Sequence, residues 1–330
     1  MQQTDVHPGF LIIPRNSAKK TAVLPEWRLV FRVGRGSDNA RNIVGFSSMS
    51  SQEDLAVEMS SVIPKSVIGV IGPPRSGTTL IANSLISHSQ ASGIIEPYQV
   101  RRDENYLETD SMTVISDFQV NTSTFPNIFI KETTTRIQNV KSTFKLLEDA
   151  KNLGIYTGLI IILRNPYEAY LSQVEASTEI WKQKRMTTIS ESTFDVFSMA
   201  LRSGLRHICK HARAQHFRLV SYEGFCASPE TELSRLMALV PLRLEKAQLN
   251  FSPPGKIGPG GDPKTEKKAG SISRDSREEA VADLRSRFAD RPLFNFFEAL
   301  NMLIQNTLGK APDKQVIDEL TRISLKNWNN

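Results

Sequence analysis

The sequence predicts an α/β fold in three layers, with a central parallel sheet between two layers of helices. Short apolar runs rich in β-branched residues alternate with helical segments between residues 65 and 223. Ser66–Ile71 is such a run and ends at Gly72-Pro73-Pro74, and Thr157–Leu163 is the clearest strand in the chain. Uninterrupted apolar runs are typical of strands buried on both faces of a parallel sheet. Strands that alternate with helices imply right-handed crossovers.

The other elements follow in chain order from the same patterns. Pro166 begins a helix in its first turn, where the missing N–H is tolerated. The predicted strands and helices are Thr78–Ser87 (helix), Asn127–Ile130 (strand), Lys141–Leu153 (helix), Pro166–Glu175 (helix), Phe194–His216 (helix) and Phe217–Ser221 (strand). Phe294, Phe296 and Phe297 are predicted to form a core cluster in the C-terminal helices.

A chain of 330 residues is long enough to bury one large core with smaller attachments. We predict an N-terminal extension over residues 1–64 and one domain over 65–330. That domain divides into a core over 65–230, a flexible loop over 250–273 that is rich in Pro, Gly and Lys, and C-terminal helices over 274–330. Long loops of this kind are functional or disordered.

The net charge of +6 and the pI near 9.3 indicate an anionic partner, or serve solubility alone. Nucleic acid is not predicted, because no stripe of basic and aromatic residues is present. Cys209 and Cys226 have no metal or redox spacing, which favours a reducing compartment. Met1–Lys20 lacks the pattern of a signal peptide, and no apolar stretch reaches membrane-spanning length. A cytoplasmic protein is therefore predicted.

A glycine-containing loop follows the first strand, and a helix follows the loop. It reads Gly72-Pro73-Pro74-Arg75-Ser76-Gly77-Thr78-Thr79. Glycine permits close backbone approach, and free N–H groups at the helix N-terminus point at an anion. The fold is therefore expected to be of the P-loop NTPase-like kind. The alternative is a connector that binds no ligand.

The loop differs from that of kinases, because Thr78 stands where a Walker lysine would contact the β- and γ-phosphates. The cation comes earlier, at Arg75. No aspartate that would hold Mg²⁺ clearly ends a strand. A nucleotide whose reacting group is attached to the 5′-phosphate fits this loop better than a metal-bridged triphosphate.

The loop Pro74–Leu80 resembles the 5′-phosphosulfate loop of the sulfotransferases that use 3′-phosphoadenosine 5′-phosphosulfate (PAPS). Leu163–Ser172 is similar to the segment of that family in which an arginine and a serine bind the 3′-phosphate. Leu219–Phe225 looks like a third, weaker match, with a Tyr-Glu pair after a strand. The resemblance covers residues 66–229. It implies cofactor contacts from Arg75, Ser76, Gly77, Thr78, Thr79, Arg164, Ser172 and Tyr222.

The resemblance also implies two catalytic residues. Glu96 follows Ile94-Ile95 at a spacing from Arg75 similar to that in the glutamate-using branch, which includes tyrosylprotein and bacterial sulfotransferases. Its role there is to remove the acceptor proton, and the alternative is a solvated loop carboxylate. Pro97 restricts Glu96 to an extended backbone. Lys131 looks like the lysine that contacts the sulfuryl group, and the alternative is a salt bridge to Glu132 or another acid.

Other candidates are weaker. Arg102 resembles a substrate-side arginine, and His88 is the next residue to test as a base. His207 and His211 are four residues apart on a helix but have no carboxylate partner, so no metal site is predicted. The segment Gly258–Lys268 either closes over the nucleotide or is a solvated linker.

Together these observations predict sulfuryl transfer from PAPS, without a metal, to the hydroxyl of a carbohydrate, a lipid or another small molecule. A small-molecule kinase and a non-catalytic PAPS-binding protein are the alternatives. The acceptor and the oligomeric state are not readable from the sequence.

Overall fold

The computed structural model describes residues 63–100, 104–182, 186–250, 272 and 277–328. These residues lie in one compact unit, Ala56–Asn330. Most of the predicted N-terminal extension, nearly all of the predicted loop over 250–273, and Arg102 lie outside the described residues.

Five strands form one parallel sheet. They are β1 (Ser66–Gly72), β2 (Ala91–Ile95), β3 (Asn127–Thr133), β4 (Tyr156–Leu163) and β5 (Phe217–Ser221), in the order β2-β3-β1-β4-β5. The parallel arrangement is as predicted, but only four of these strands were marked in the sequence, and β2 was missed. The side chains of β1 are buried on both faces of the sheet, which explains its uninterrupted apolar sequence.

The described helices cover both faces of this sheet. They are α1 (Thr78–Ile86), α2 (Pro97–Val100), α3 (Glu104–Leu107), α4 (Ser111–Asp117), α5 (Ile137–Asn152), α6 (Pro166–Glu175), α7 (Glu191–Ala212), α8 (Tyr222–Ala227), α9 (Pro229–Met237), α10 (Lys246–Leu249), α11 (Glu278–Arg287), α12 (Phe294–Asn306) and α13 (Asp313–Leu325). A π-helix, Ala176–Ile180, follows α6 directly. In the part of the chain that is described, no helix is long and apolar enough to cross a membrane.

Two hydrophobic cores separate the layers. One core joins the sheet to α1, α8 and α9. The larger core joins the opposite face to α5, α6, α7, α12 and α13. Phe296 and Phe297 lie in the larger core as predicted, whereas Phe294 packs against it half-buried.

The connections place a crevice at the centre of the sheet. From β1 the chain passes through α1 to β2 at one edge, and from β4 it passes through α6 and α7 to β5 at the other edge. The loops after the neighbouring strands β1 and β4 therefore leave in opposite directions. Ligands of open α/β sheets bind at such a point, outside the carboxyl ends of the strands.

The structure changes some predicted boundaries. β3 continues to Thr133, so Lys131 lies within the strand and does not end it. The long helix α7 begins earlier than predicted, because Ser190 accepts a hydrogen bond from the Thr193 N–H in a capping box, and it ends at Ala212. Tertiary pairing with β1 carries β3 past the apolar residues that marked it in the sequence.

Candidate active site

The sequence-predicted site residues gather along the carboxyl edge of the sheet. Each of the five strands supplies at least one of them at or near its end, which the parallel arrangement makes possible. They are the 72–79 loop after β1, Glu96 after β2, Lys131 in β3, Arg164 after β4 and Tyr222 after β5. Ser172 is added from the second turn of α6. The edge thus assembles side chains that lie up to about 150 residues apart in sequence.

The loop after β1 is closely packed. A Cβ at Gly72 would lie 2.6 Å from the Ile162 carbonyl oxygen, so only glycine fits there. The Ser76 hydroxyl donates a 2.7 Å hydrogen bond to the Pro73 carbonyl and closes the turn. Gly77, at φ +87°, lies against the ring of Tyr222 and precedes α1.

The N-terminus of α1 faces this loop without a side-chain cap from the described residues. Thr78 and Thr79, both buried, form its first turn. The first N–H groups of a helix have no partner within the helix, and they carry the positive end of its dipole. The loop therefore has the backbone arrangement that binds an anion such as a phosphate.

Arg164 is held beside the loop by three contacts. Its Nη1 donates to the Arg75 carbonyl at 3.2 Å, and its Nη2 pairs with Glu168 Oε2 at 3.2 Å. Its guanidinium lies 4.3 Å from the centroid of the Tyr222 ring. The Nε atom of Arg164 is buried and has no hydrogen-bond partner among the described residues. One N–H of the Arg164 guanidinium is therefore not used by any described residue.

Tyr222 packs between the loop after β1 and Arg164, and its phenol stays protonated at neutral pH. Burial raises the pKa of its phenol to about 12, so the group remains neutral. Its ring contacts both Gly77 and Arg164 and so links the ends of β1, β4 and β5.

Arg75 and Ser172 meet across the crevice. Arg75 Nε donates to Ser172 Oγ at 3.1 Å, although 97 residues separate the two in sequence. The Arg75 guanidinium also lies 5.4 Å from the centroid of the Trp181 ring. Sequence reasoning missed Trp181, which follows the π-helix and belongs to none of the matched segments.

Glu96 and Lys131 form a buried ion pair between Lys131 Nζ and Glu96 Oε1. The Lys131 side chain is 2% exposed and that of Glu96 is 11% exposed. The Glu96 N–H also donates to the Lys131 carbonyl at 2.8 Å. Lys131 points to the face of the sheet that packs against α1, since Phe129 on the same face belongs to that core.

One expectation about this pair is wrong. Glu96 is not extended, because its φ is +52°, in the left-handed region. The contact with Lys131 overrides the local preference that Pro97 imposes. Lys131 does form a salt bridge to an acid, which was the alternative considered for it. The partner is Glu96 rather than the adjacent Glu132, because successive side chains of a strand point to opposite faces.

Glu132 is a buried carboxyl that sequence reasoning did not select as functional. It accepts hydrogen bonds from the Tyr98 N–H at 3.2 Å, the Thr133 N–H at 3.3 Å and Asn139 Nδ2 at 3.4 Å. Burial first, and then the charge of Glu96, raise the pKa of Glu132 to about 8. Two adjacent charges within an apolar strand were the signal available in the sequence.

The histidines lie away from this edge. His88 follows the end of α1, whose nine residues span about 13 Å from the loop. Its Nε2 lies 3.1 Å from the Arg243 carbonyl, so the structure does not bring this second candidate base to the site. His207 and His211 lie on α7, and no group of three His, Cys, Asp or Glu side chains among the described residues is arranged to hold a metal.

The chain is similar to known proteins only at a distance. No protein-family model and no curated protein matches it. The sulfotransferase domain of the Synechococcus olefin synthase is 15% identical over 79% of this chain and 94% of that chain, with a TM-score of 0.41. A sulfotransferase from Alicyclobacillus acidocaldarius is 13% identical over 74% and 97%, with a TM-score of 0.46. A mouse sulfotransferase complexed with PAP is 11% identical over 78% and 98%, with a TM-score of 0.40.

Proposed function

We propose that the protein is a sulfotransferase that moves a sulfuryl group from PAPS to an acceptor hydroxyl. One observation carries the proposal: the anion-binding loop after β1 lies beside a second cationic centre, Arg164, which has a buried donor without a partner among the described residues. PAPS carries an anionic group at its 5′ end and another at its 3′ position, so it suits two such centres. A nucleotide with phosphate at the 5′ end alone would leave the second centre without a ligand.

In this proposal the loop binds the 5′-phosphosulfate. The backbone N–H groups of residues 77–79 and the hydroxyls of Thr78 and Thr79 are the donors, because α1 begins there uncapped by any described side chain. The Ser76 N–H already donates to the Pro73 carbonyl at 3.2 Å. Arg164 and Ser172 bind the 3′-phosphate, and Tyr222 holds Arg164 in place through the contact between its ring and the guanidinium.

Glu96 and Lys131 carry the chemistry. The acceptor oxygen attacks sulfur and forms a new O–S bond, while the bond from sulfur to the 5′-phosphate oxygen breaks and PAP leaves. Glu96 accepts the proton of the acceptor hydroxyl. Lys131 stabilises the negative charge that develops on the transferred group and the leaving oxygen. The two side chains form an ion pair, so each carries the charge that its role requires.

The acceptor is proposed to be a hydroxyl of a carbohydrate, a lipid or another small molecule, and nucleic acid is not expected to bind. We also propose a cytoplasmic location, on the ground that Cys209 and Cys226 do not form a disulfide.

The test is a set of binding isotherms for PAP, 5′-AMP, ADP and ATP, followed by an assay of PAP release from PAPS with a panel of acceptors. PAP is expected to bind about 10–100-fold more tightly than 5′-AMP, because a charge-assisted hydrogen bond contributes about 1.5–3 kcal/mol. Equal affinity for PAP and 5′-AMP would contradict the assignment of Arg164 and Ser172. Preference for ATP with Mg²⁺ would favour a kinase, and PAP binding without turnover on any acceptor would favour a non-catalytic binding protein.

A further inference from the structure

The side chain of Arg75 reaches away from the loop to which it belongs. Its φ of +66° lies in the left-handed region, which is unfavourable for a residue with a Cβ. Such a backbone persists where surrounding contacts hold it. Here the contacts come from a distant part of the chain, because Ser172 and Trp181 belong to α6 and the turn that follows it.

Trp181 is positioned by the π-helix Ala176–Ile180. The Trp181 N–H donates to the Ala176 carbonyl at 2.9 Å, which closes that wide turn. A π-helix inserts an extra residue per turn and is frequent at functional sites. Trp181 is 40% exposed, and its ring lies by the Arg75 guanidinium at cation–π distance. Ser172 of α6 and Trp181 after the π-helix therefore both contact the Arg75 side chain.

Arg164 also contacts Arg75, from the end of β4. Its Nη1 donates to the Arg75 carbonyl, while Arg75 Nε donates to Ser172 Oγ. Arg164 thus contacts the backbone of Arg75, and the Arg75 side chain contacts the hydroxyl of Ser172. These contacts link the loop to the end of β4 and to the second turn of α6, on the far side of the loop from Lys131 and β3. Planar guanidinium groups bind phosphate oxygens in pairs of parallel hydrogen bonds.

We infer that Arg75 belongs to the 3′-phosphate subsite and helps to decide the preference for a 3′,5′-bisphosphate nucleotide over a 5′-monophosphate. This rests on the proposed function and refines it, because an arginine in the 5′-phosphosulfate loop then serves the other end of the nucleotide. The 5′-phosphosulfate is then bound by the backbone N–H groups and the hydroxyls of the loop.

The experiment compares PAP and 5′-AMP affinities by calorimetry in the full chain and in two variants, Arg75→Ala and Arg75→Gly. Glycine accepts the left-handed backbone, so agreement between the two variants assigns the effect to the lost side chain. The affinity for PAP is expected to fall about 10–100-fold, and that for 5′-AMP less than about 3-fold. Arg322→Ala, which removes an exposed arginine of α13, is the control and is expected to change neither affinity.

Trp181→Ala is expected to lower the ratio of PAP affinity to 5′-AMP affinity by a smaller factor, about 3-fold. Trp181→Phe is expected to restore this ratio, because an aromatic ring is retained. Equal losses of PAP and 5′-AMP affinity in both Arg75 variants would overturn the inference and assign Arg75 to the 5′ end. If the unaltered protein does not prefer PAP to 5′-AMP, the proposed function itself fails. The two failures are therefore distinguishable.

Discussion

Among single residues of the described part of the chain, Arg75 and Glu96 each combine an unusual backbone angle with a charge that is stacked or buried. Both have positive φ although neither is glycine. A left-handed residue with a Cβ costs about 1–2 kcal/mol, and such strain is concentrated at functional sites, where neighbouring contacts impose it. For Glu96 those contacts are the ion pair with Lys131 and the hydrogen bond from its own N–H to the Lys131 carbonyl.

Glu96→Gln is expected to lower kcat by about 10²–10⁴ while PAP affinity changes little, because the amide cannot accept the acceptor proton. Lys131→Ala is expected to lower kcat by about 10²–10³ through lost charge stabilisation. The two effects should be less than additive if both act on one transition state. PAP release and PAP binding are measured for each variant, and near-normal turnover in Glu96→Gln would place the base elsewhere.

Stability measurements separate this pair's chemistry from its structural role. Glu96→Gln leaves the buried Lys131 ammonium without its counter-charge, and breaking a buried pair costs about 3–5 kcal/mol. The double variant Glu96→Gln/Lys131→Met removes both charges and is expected to recover part of that loss. Urea unfolding of the single and double variants tests this, and equal losses in both would contradict it.

Glu132 predicts a pH dependence of stability. Its pKa is raised to about 8 in the folded protein by burial and by the charge of Glu96, so the folded state binds a proton that the unfolded state releases near pH 4.5. The stabilisation of the folded state by this proton is complete below about pH 4.5. It is lost as the pH rises to about 8, so the free energy of unfolding falls by roughly 1.4 kcal/mol per pH unit at most. In Glu132→Gln the decrease of unfolding free energy with rising pH should be weaker, whatever the absolute stability of the variant. Unfolding free energies at several pH values between about 5 and 8 measure it, and an unchanged slope would show that Glu132 is not the group.

Among the elements of the fold, α8 constrains the conformation of the loop after β1, in addition to the loop's own sequence. Tyr222, the first residue of α8, packs on Gly77 so closely that a Cβ at position 77 would overlap its ring. The same ring contacts Arg164 after β4. Three loops from adjacent strand ends are therefore coupled through one side chain, and the glycine is required for space as well as for its φ of +87°.

Gly77→Ala is expected to destabilise the protein and to weaken PAP binding, because it adds an overlap with Tyr222 to the cost of the left-handed backbone. Gly154→Ala is the matched control, since Gly154 has a φ of +77° and a Cβ there would meet nothing within 4 Å among the described residues. The control should lose about 1–2 kcal/mol from the backbone alone. Gly77→Ala should lose about 1–3 kcal/mol more, as overpacked sites do. Equal losses by urea unfolding would show that the Tyr222 contact is not a constraint.

In the molecule as a whole, the strand order β2-β3-β1-β4-β5 places two groups of charged and aromatic side chains at different parts of one edge of the sheet. The side of β3 and β2 carries the ion pair Glu96–Lys131, and the side of β4 and β5 carries Arg164 and Tyr222. The loop after β1 lies between the two sides. This division matches a reaction in which the nucleotide binds on one side and the acceptor approaches on the other.

PAPS binding and turnover are expected to continue in EDTA. The loop holds Thr78 where a Walker lysine would act beside a metal-bridged triphosphate, and arginine side chains and the α1 N-terminus supply positive charge. Initial rates with and without EDTA measure this, and dialysis against buffer without EDTA is the control. A rate that collapses in EDTA and returns with Mg²⁺ would move the assignment toward a kinase.

Local composition was enough to predict the fold class, because buried parallel strands and the strand–loop–helix at 66–86 each have a recognisable pattern of neighbouring residues. It was also enough to place Arg164 and Tyr222 at strand ends, since a strand's end is a local property. Tertiary structure was needed to show that Lys131 pairs with Glu96, that Glu96 adopts a positive φ, and that Arg75 reaches Ser172 and Trp181. Those contacts join residues 35 to about 100 positions apart, and sheet order and helix packing, rather than any local pattern, bring them together.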